Sequence, residues 1–508
     1  MDARVETAEQ ASTAFTSLVP DPKRRMLVFL ILLMGMFMAT LDNQIVSTAL
    51  PTIVGEFGAL ERFGWVGSAY LLATSAVMPV YGKLGDLFGR KYVIMTAIFI
   101  FTLGSLVCGL AVSMNTLIAA RVLQGLGGGG IMVSLFSINA DLFEPRVRAR
   151  YQSYSSLVLM ASGAIGPTLG GALSDLFGWR SIFLVNLPVG IAVLIGMAIL
   201  LPYRRPTRKP RIDYAGALLL AGAVSSVVLW ADSSEIFGSL IAKESLAVVL
   251  FGAVSLIAWI MVERRAPEPI VPLGLFRNPT VSFLLIISLT SGAVGIGSVN
   301  YVALFLQTTT GLSPSLAGLL FIALTGGIAL GSLTAGRLIS KTGRYKVFSL
   351  ISTAGSMTIF FLFSFLHAGT PIPLIGFMML LQGMSVGFGQ QVPVIGVQNA
   401  ADPRDVGAAT GAVTLTRMAG ASIAISVYGA VLSAGVERHV STIPGVGNIA
   451  ELTPSALATL PESSRLLVAD LYAGAFHHVF LTMSLTIAIG FIAAMLLKNN
   501  RLPSGMKG

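Results

Sequence analysis

Residues 82–91 read GKLGDLFGRK, and 254 positions later residues 336–345 read GRLISKTGRY. Each stretch follows a long apolar run, begins with glycine (Gly82, Gly336), carries a second glycine seven places on (Gly89, Gly343) and continues with a basic residue (Arg90, Arg344). A further echo pairs Gln124-Gly125 with Gln382-Gly383. Self-similarity over this distance in an apolar chain predicts two repeated helical bundles in a membrane.

Composition agrees with that reading. Of 508 residues, 54% are hydrophobic and 11% charged, whereas a soluble domain carries about 25% charged residues. A soluble globular protein, a disordered chain, collagen and a disulfide scaffold are all excluded, and the single cysteine, Cys108, leaves no intrachain disulfide. The net charge of +10 sits in loops, which makes it a topology signal rather than a nucleic-acid footprint.

Apolar runs measured against a hydrocarbon thickness of about 30 Å predict spans at 26–49, 63–82, 93–112, 116–138, 152–174, 181–201, 214–231, 245–262, 280–306, 315–338, 347–367, 372–397, 406–433 and 475–497. The fold class is therefore an all-α polytopic membrane protein of fourteen helices: six, two inserted, and six again. Its parts are a tail at 1–25, an amino-terminal bundle at 26–201, linkers and inserted helices at 202–279, a carboxy-terminal bundle at 280–497 with a long outer loop at 433–473, and a tail at 498–508. With a cytoplasmic amino terminus, 26 of the 33 Lys and Arg fall on the inner side and five on the outer, while Arg121 and Arg417 lie within spans. The positive-inside rule then puts both termini in the cytoplasm. Residues 1–25 lack the apolar core of a signal peptide. The absence of any Asn-X-Ser/Thr sequon points to a bacterial plasma (inner) membrane.

Four stretches together make a resemblance specific. Residues 41–51 (LDNQIVSTALP), 82–91, 121–125 (RVLQG) and 163–171 (GAIGPTLGG) occur in order along these spans. They resemble motifs of the first helix, loop 2–3, fourth helix and fifth helix in the fourteen-helix drug:proton antiporter branch of the major facilitator superfamily, a match running from about residue 26 to 497. The resemblance implies multidrug efflux by alternating access, with coupling resting on the first-helix acid and the fourth-helix arginine. It also implies a latch between Asp86 and the start of span 13, around Val406-Gly407, and an antiport-linked fifth helix.

The residues support their own readings. Asp42 is the only acid well inside the helices of either six-span half, and an ionised carboxylate there costs at least a few kcal/mol unless paired or solvated. Counting rises along the helices places Asp42 and Arg121 at similar depth, about 24 and 22 Å above the inner boundary, so the two are expected to interact at the wall of a central cavity. A static structural pair is the bland reading and a proton switch the functional one. The latch begins at Gly82; within it Gly85 and Gly89 permit a tight turn, Asp86 offers a carboxylate to a helix amino terminus, Arg90 and Lys91 reach acids or lipid phosphate, and Arg150 is an added partner; topology-setting charge alone is the alternative. Gly163, Gly166, Pro167, Gly170 and Gly171 read as a hinge against span 10, where Gly327 and Gly331 face them, or as plain close packing. Gln44, Gln124, Asn300, Tyr301, Gln307, Gln390 and Arg417 are candidate substrate contacts. The stretch 461–471 of the outer loop is amphipathic and reads as a lid or an interfacial helix. The adjacent His477 and His478 have no acid or cysteine nearby and make no metal site.

These readings point to a secondary transporter rather than an enzyme, without a cofactor, driven by the proton gradient at about 2.3 kcal/mol per proton per 100 mV. Its expected partners are a small hydrophobic or amphipathic substrate, protons and membrane lipids, with no nucleic acid, and the protein is read as a monomer. An exporter of an endogenous lipid, siderophore or metabolite is the nearest rival. A non-transporting membrane sensor with this fold is the rival from another class.

Overall fold

The computed structural model describes residues 15–57, 63–204, 211–231, 233–312, 314–440 and 462–503. Its long helices are α1 (Pro22–Phe57), α2 (Phe63–Phe88), α3 (Arg90–Gly109), α4 (Met114–Leu142), α5 (Pro145–Phe177), α6 (Asn186–Leu200), α7 (Tyr214–Ala231) and α8 (Lys243–Glu263). They continue with α9 (Pro279–Gly295, resumed at Gly297–Thr308), α10 (Pro314–Thr342), α11 (Lys346–Phe363), α12 (Ile372–Gly389, resumed at Val392–Ala400), α13 (Val406–Val440) and α14 (Glu462–Leu496). Among the described residues, twelve spans are long and apolar enough to cross a membrane, or thirteen when α5 is counted through its 44° bend between Pro145–Gly163 and Thr168–Phe177. Extended pairing among the described residues is a single bridge between Arg344 and Arg501.

Local chemistry sets the helix ends. Ser113 and Thr116 form a reciprocal capping box at the start of α4, and Asn278 caps α9 with Pro279 at the first helical position. Gly89 separates α2 from α3 with φ of 90°, and Gly343 separates α10 from α11 with φ of 70°. The repeat visible in the sequence therefore recurs as two left-handed backbone positions that only glycine adopts without strain.

Packing repeats as well. α2 lies on α4, α3 on α4 and α6, and α1 on α5 and α6; correspondingly α10 lies on α12, α11 on α12 and α14, and α9 on α13 and α14. The two most extensive contacts between these six-helix sets are α2 with α13 and α5 with α10, each the counterpart of the other, and α4 also touches α13. The inserted α7 packs on α8 and covers the α2/α13 junction, leaving the α5/α10 junction without such a cover. α8 turns Leu250, Phe251, Val254, Ile257 and Met261 outward, as a lipid-facing helix does.

The outer loop expected at 433–473 is partly helical: α13 extends to Val440 and α14 begins at Glu462, so residues 462–471 are the first turns of α14 rather than a separate lid helix. Residues 441–461 lie outside the described residues. The stretch 291–297 contains the break of α9 at Ile296, whereas Gly127 to Gly130 are close-packing positions against α2 and α3.

Candidate functional site

Asp42 and Arg121 meet, fully buried, with Arg121 Nη1 2.6 Å from Asp42 Oδ2. Two amides complete the carboxylate's shell. Gln124 Nε2 and Asn186 Nδ2 donate to Asp42 Oδ1 at 2.9 and 2.7 Å, and both also donate to Ser105 Oγ at 2.9 Å. Ser105 in turn donates to the Phe183 carbonyl. Arg121 additionally donates to Gln124 Oε1 and to the Val66 carbonyl, and its guanidinium lies 4.3 Å from the Tyr70 ring centroid. Its Nη2 is buried with no hydrogen-bond partner. One carboxylate thus receives three donors in a buried pocket between α1, α3, α4 and α6, the arrangement that allows a charge to remain inside a membrane protein.

The depth argument brought the pair together, but its expected position at the cavity wall needs correction. Both side chains are enclosed within the amino-terminal helices and absent from the lining of the cavity between the two six-helix sets. Gln124, expected to touch substrate, is likewise consumed by this network.

At the end of the bundle that carries the basic loops, Asp86 accepts the backbone N–H groups of Gly407 at 3.1 Å and Ala408 at 3.0 Å, in the first turn of α13. Arg90 bridges Asp86 and Asp141 at 2.6 and 3.0 Å. A Cβ on Gly82 would overlap the Gly407 carbonyl oxygen, so two backbones touch here. Burial raises the Asp86 carboxyl from its ordinary value, against the lowering effect of Arg90 and the two N–H donors. Lys91 turns within its own half to the Ala198 carbonyl. Arg150 is exposed and does not reach Asp86; the cross-half contacts that the sequence missed come from buried Arg148, which donates to Gln398, and buried Lys83, which lies 3.5 Å from Asp405 just before α13 and 2.9 Å from Glu268 in the linker.

The fifth-helix glycines do not meet Gly327 and Gly331, which instead pack on Leu380 and Met384 of α12. Gly163 and Gly171 face open space, Gly166 abuts Gln44, and Gly170 is buried; the Pro167 side chain lies outside the described residues. The α5/α10 contact lies nearer the basic end, where Gly336 packs on Ala149 and Ser153 and Ser156 pairs with Ser332 at 2.7 Å.

Between the two six-helix sets lies a cavity of about 200 Å³. Met36, Met78, Met132 and Met418 line it together with Ser291, Ser352, Ser356, Thr414, Gln390 and Arg417. Of the expected substrate contacts, Gln390 and Arg417 are on this wall. Gln44 is exposed on α1, Tyr301 donates to the Ile425 carbonyl, Gln307 is half-buried away from the lining, and the Asn300 side chain lies outside the described residues.

A family model described as Major Facilitator Superfamily matches residues 32–425. The chain belongs to the Major Facilitator Superfamily. It is 34% identical over 484 residues to the uncharacterized MFS-type transporter Rv1877 of Mycobacterium tuberculosis, covering 94% of this chain and 70% of that one. Multidrug resistance protein 3 of Bacillus subtilis is 31% identical over 428 residues, covering 84% and 80%. Multidrug transporter protein MdtP, also from Bacillus subtilis, is 32% identical over 423 residues, covering 81% and 76%. The solved structure of the human organic anion transporter MFSD10 (TETRAN) shares the fold, with a TM-score of 0.63, 16% identity, and coverage of 93% of this chain and 100% of that one. This superfamily member is accordingly a multi-pass membrane transporter of the drug-efflux branch.

Sequence reading of this transporter missed Asn186 and Ser105. Asn186 gave a signal, an amide in the otherwise apolar run 182–190, but nothing in one sequence says that α6 turns that face toward α1.

Proposed function

We propose that this protein is a proton-coupled exporter of hydrophobic or amphipathic compounds. In this reading it crosses the membrane fourteen times as six, two and six helices, and it works as a monomer with both termini in the cytoplasm. The observation that carries the reading is the buried Asp42–Arg121 pair with its two amide donors. The net charge of this pocket changes by one when a single proton binds. Protonating Asp42 removes the charge that holds Arg121, Gln124 and Asn186 inward, and so loosens α1 from α4 and α6. Such a two-state element is what coupling between a proton and a conformation requires.

The positive-inside argument assigns the basic end to the cytoplasm. On that assignment Asp86, bonded to the start of α13, together with Lys83 and Arg148, ties the halves on the cytoplasmic side, and the conformer seen is closed inward. Rocking about α2/α13 and α5/α10 then exposes the cavity to alternate faces. Bacterial relatives named for multidrug resistance and transport support drugs as cargo and a bacterial inner membrane as location. No cofactor is needed, because the proton gradient supplies the energy.

The test is drug-triggered proton release from liposomes containing the purified protein under an imposed pH gradient, with a panel of lipophilic compounds. Release that saturates with drug and requires the protein is expected. Gradient-independent drug flux, or no flux with any compound, contradicts the proposal.

A further inference from the structure

Among the described residues lining the central cavity, Arg417 is the single ionisable side chain; its neighbours there are apolar, hydroxyl or amide groups. Its Nη2 donates to the Gln390 carbonyl oxygen, which is free because α12 breaks between Gly389 and Val392. Its Nε is buried with no partner, and no ion pair neutralises it among the described residues. Asp42 cannot serve as its counter-charge, because three donors in another pocket already hold that carboxylate. Close packing fixes the Arg417 backbone, since Gly292 lets α9 lie directly against its carbonyl.

A guanidinium facing an apolar chamber without a carboxylate lacks its best partner, and a planar oxyanion supplies that partner with two parallel hydrogen bonds. The methionines around it adapt to apolar bodies of different shape. We infer that Arg417 recognises an anionic headgroup and that the cavity takes amphipathic acids, carboxylates or sulfonates on a flexible apolar chain. This names a substrate class for the export reading and rests on that reading only for the direction of movement.

Gln390 extends the consequence. Its side-chain Oε1 accepts from Ser156 of α5, the hydroxyl that also pairs with Ser332 of α10. An acid that draws Arg417 away from the Gln390 carbonyl therefore acts on the residue that ties the two halves together. Moving an anion outward and a proton inward both carry positive charge inward, so export of an acid gains from an interior-negative potential more than export of a neutral compound does.

The test is equilibrium binding in nanodiscs, with empty nanodiscs as background. The probes are a dansyl-labelled undecanoic acid, its methyl ester and the amine of equal chain length. Wild type is expected to bind the acid about tenfold tighter than the ester or the amine. Arg417→Gln is expected to abolish that preference with ester affinity unchanged, and Arg417→Lys to keep most of it. An acid bound no better than the amine by wild type overturns the inference, and this arm needs no variant to fold. Equal weakening of all three probes by Arg417→Gln also overturns it, because the arginine would then merely cap the broken helix. Binding needs no gradient, so the two readings fail separately. Acid selectivity without gradient-driven flux sinks the export proposal alone, and gradient-driven ester flux without acid selectivity sinks this inference alone.

Discussion

Arg121 and Arg417 are both cations at membrane depth, one in each half, and they are treated in opposite ways. Arg121 is closed into a pocket with a carboxylate and two amides, sealed from the central cavity. Arg417 sits on the cavity wall with a backbone carbonyl as its one partner among the described residues and an unsatisfied Nε. A compensated charge can hold a state and release it on protonation, whereas an uncompensated one can take a ligand. In the proposed reading, coupling belongs to the amino-terminal half and cargo to the carboxy-terminal wall.

The largest expected effect is on stability. Arg121→Gln leaves Asp42 buried without its cation and should cost about 3–5 kcal/mol in a denaturation midpoint, with Asp42→Asn restoring much of the loss in the double variant. Arg417→Gln breaks no ion pair and should cost about 1 kcal/mol, the value of one carbonyl hydrogen bond. Equal losses for the two arginines would collapse the comparison. A second pair of changes sharpens it at the basic end. Asp86→Asn removes charge-assisted hydrogen bonds worth about 1.5–3 kcal/mol each and should shift the population toward the inward-open form, read as a longer distance between spin labels on α2 and α13. Native Cys108 is buried, so introduced cysteines can be labelled with little background.

Smaller effects follow at the paired glycines. Gly82→Ala sets a methyl group against the Gly407 backbone, while the nearest atoms that Gly336→Ala meets belong to the Ser153 side chain. The first should open the basic end more than the second in the same distance measurement. The smallest effect is expected at the opposite end, where Glu56 is exposed. Its carboxyl is lowered by the hydrogen bond from Arg180 first and from Trp179 second. A lowered carboxyl contributes stability that is present above the ordinary carboxylate range and lost as the pH falls through the lowered value. Glu56→Gln should therefore remove only a faint acid-side slope from the pH dependence of thermal stability.

The fold was legible because membrane depth, basic loops and a repeated glycine pattern are one-dimensional signals. The echo of Gly89 at Gly343 survives as matching left-handed backbone, and Asp86 reaches Gly407 and Ala408 where the resemblance placed it. Depth along a helix also brought Asp42 to Arg121. Helix rotation is not written in one sequence, and these misplacements come from it: Gln124 faces Asp42 rather than the cavity, Gly327 and Gly331 face α12 rather than α5, and Arg148 rather than Arg150 crosses between halves. Asn186 was missed for the same reason.

The most direct test of the account separates exchange from coupling in proteoliposomes carrying wild type or Asp42→Asn. Substrate counterflow without a gradient is measured beside accumulation driven by a pH gradient. The account predicts that Asp42→Asn keeps counterflow and loses gradient-driven accumulation. Accumulation at wild-type levels in Asp42→Asn would contradict it and make the buried pair structural.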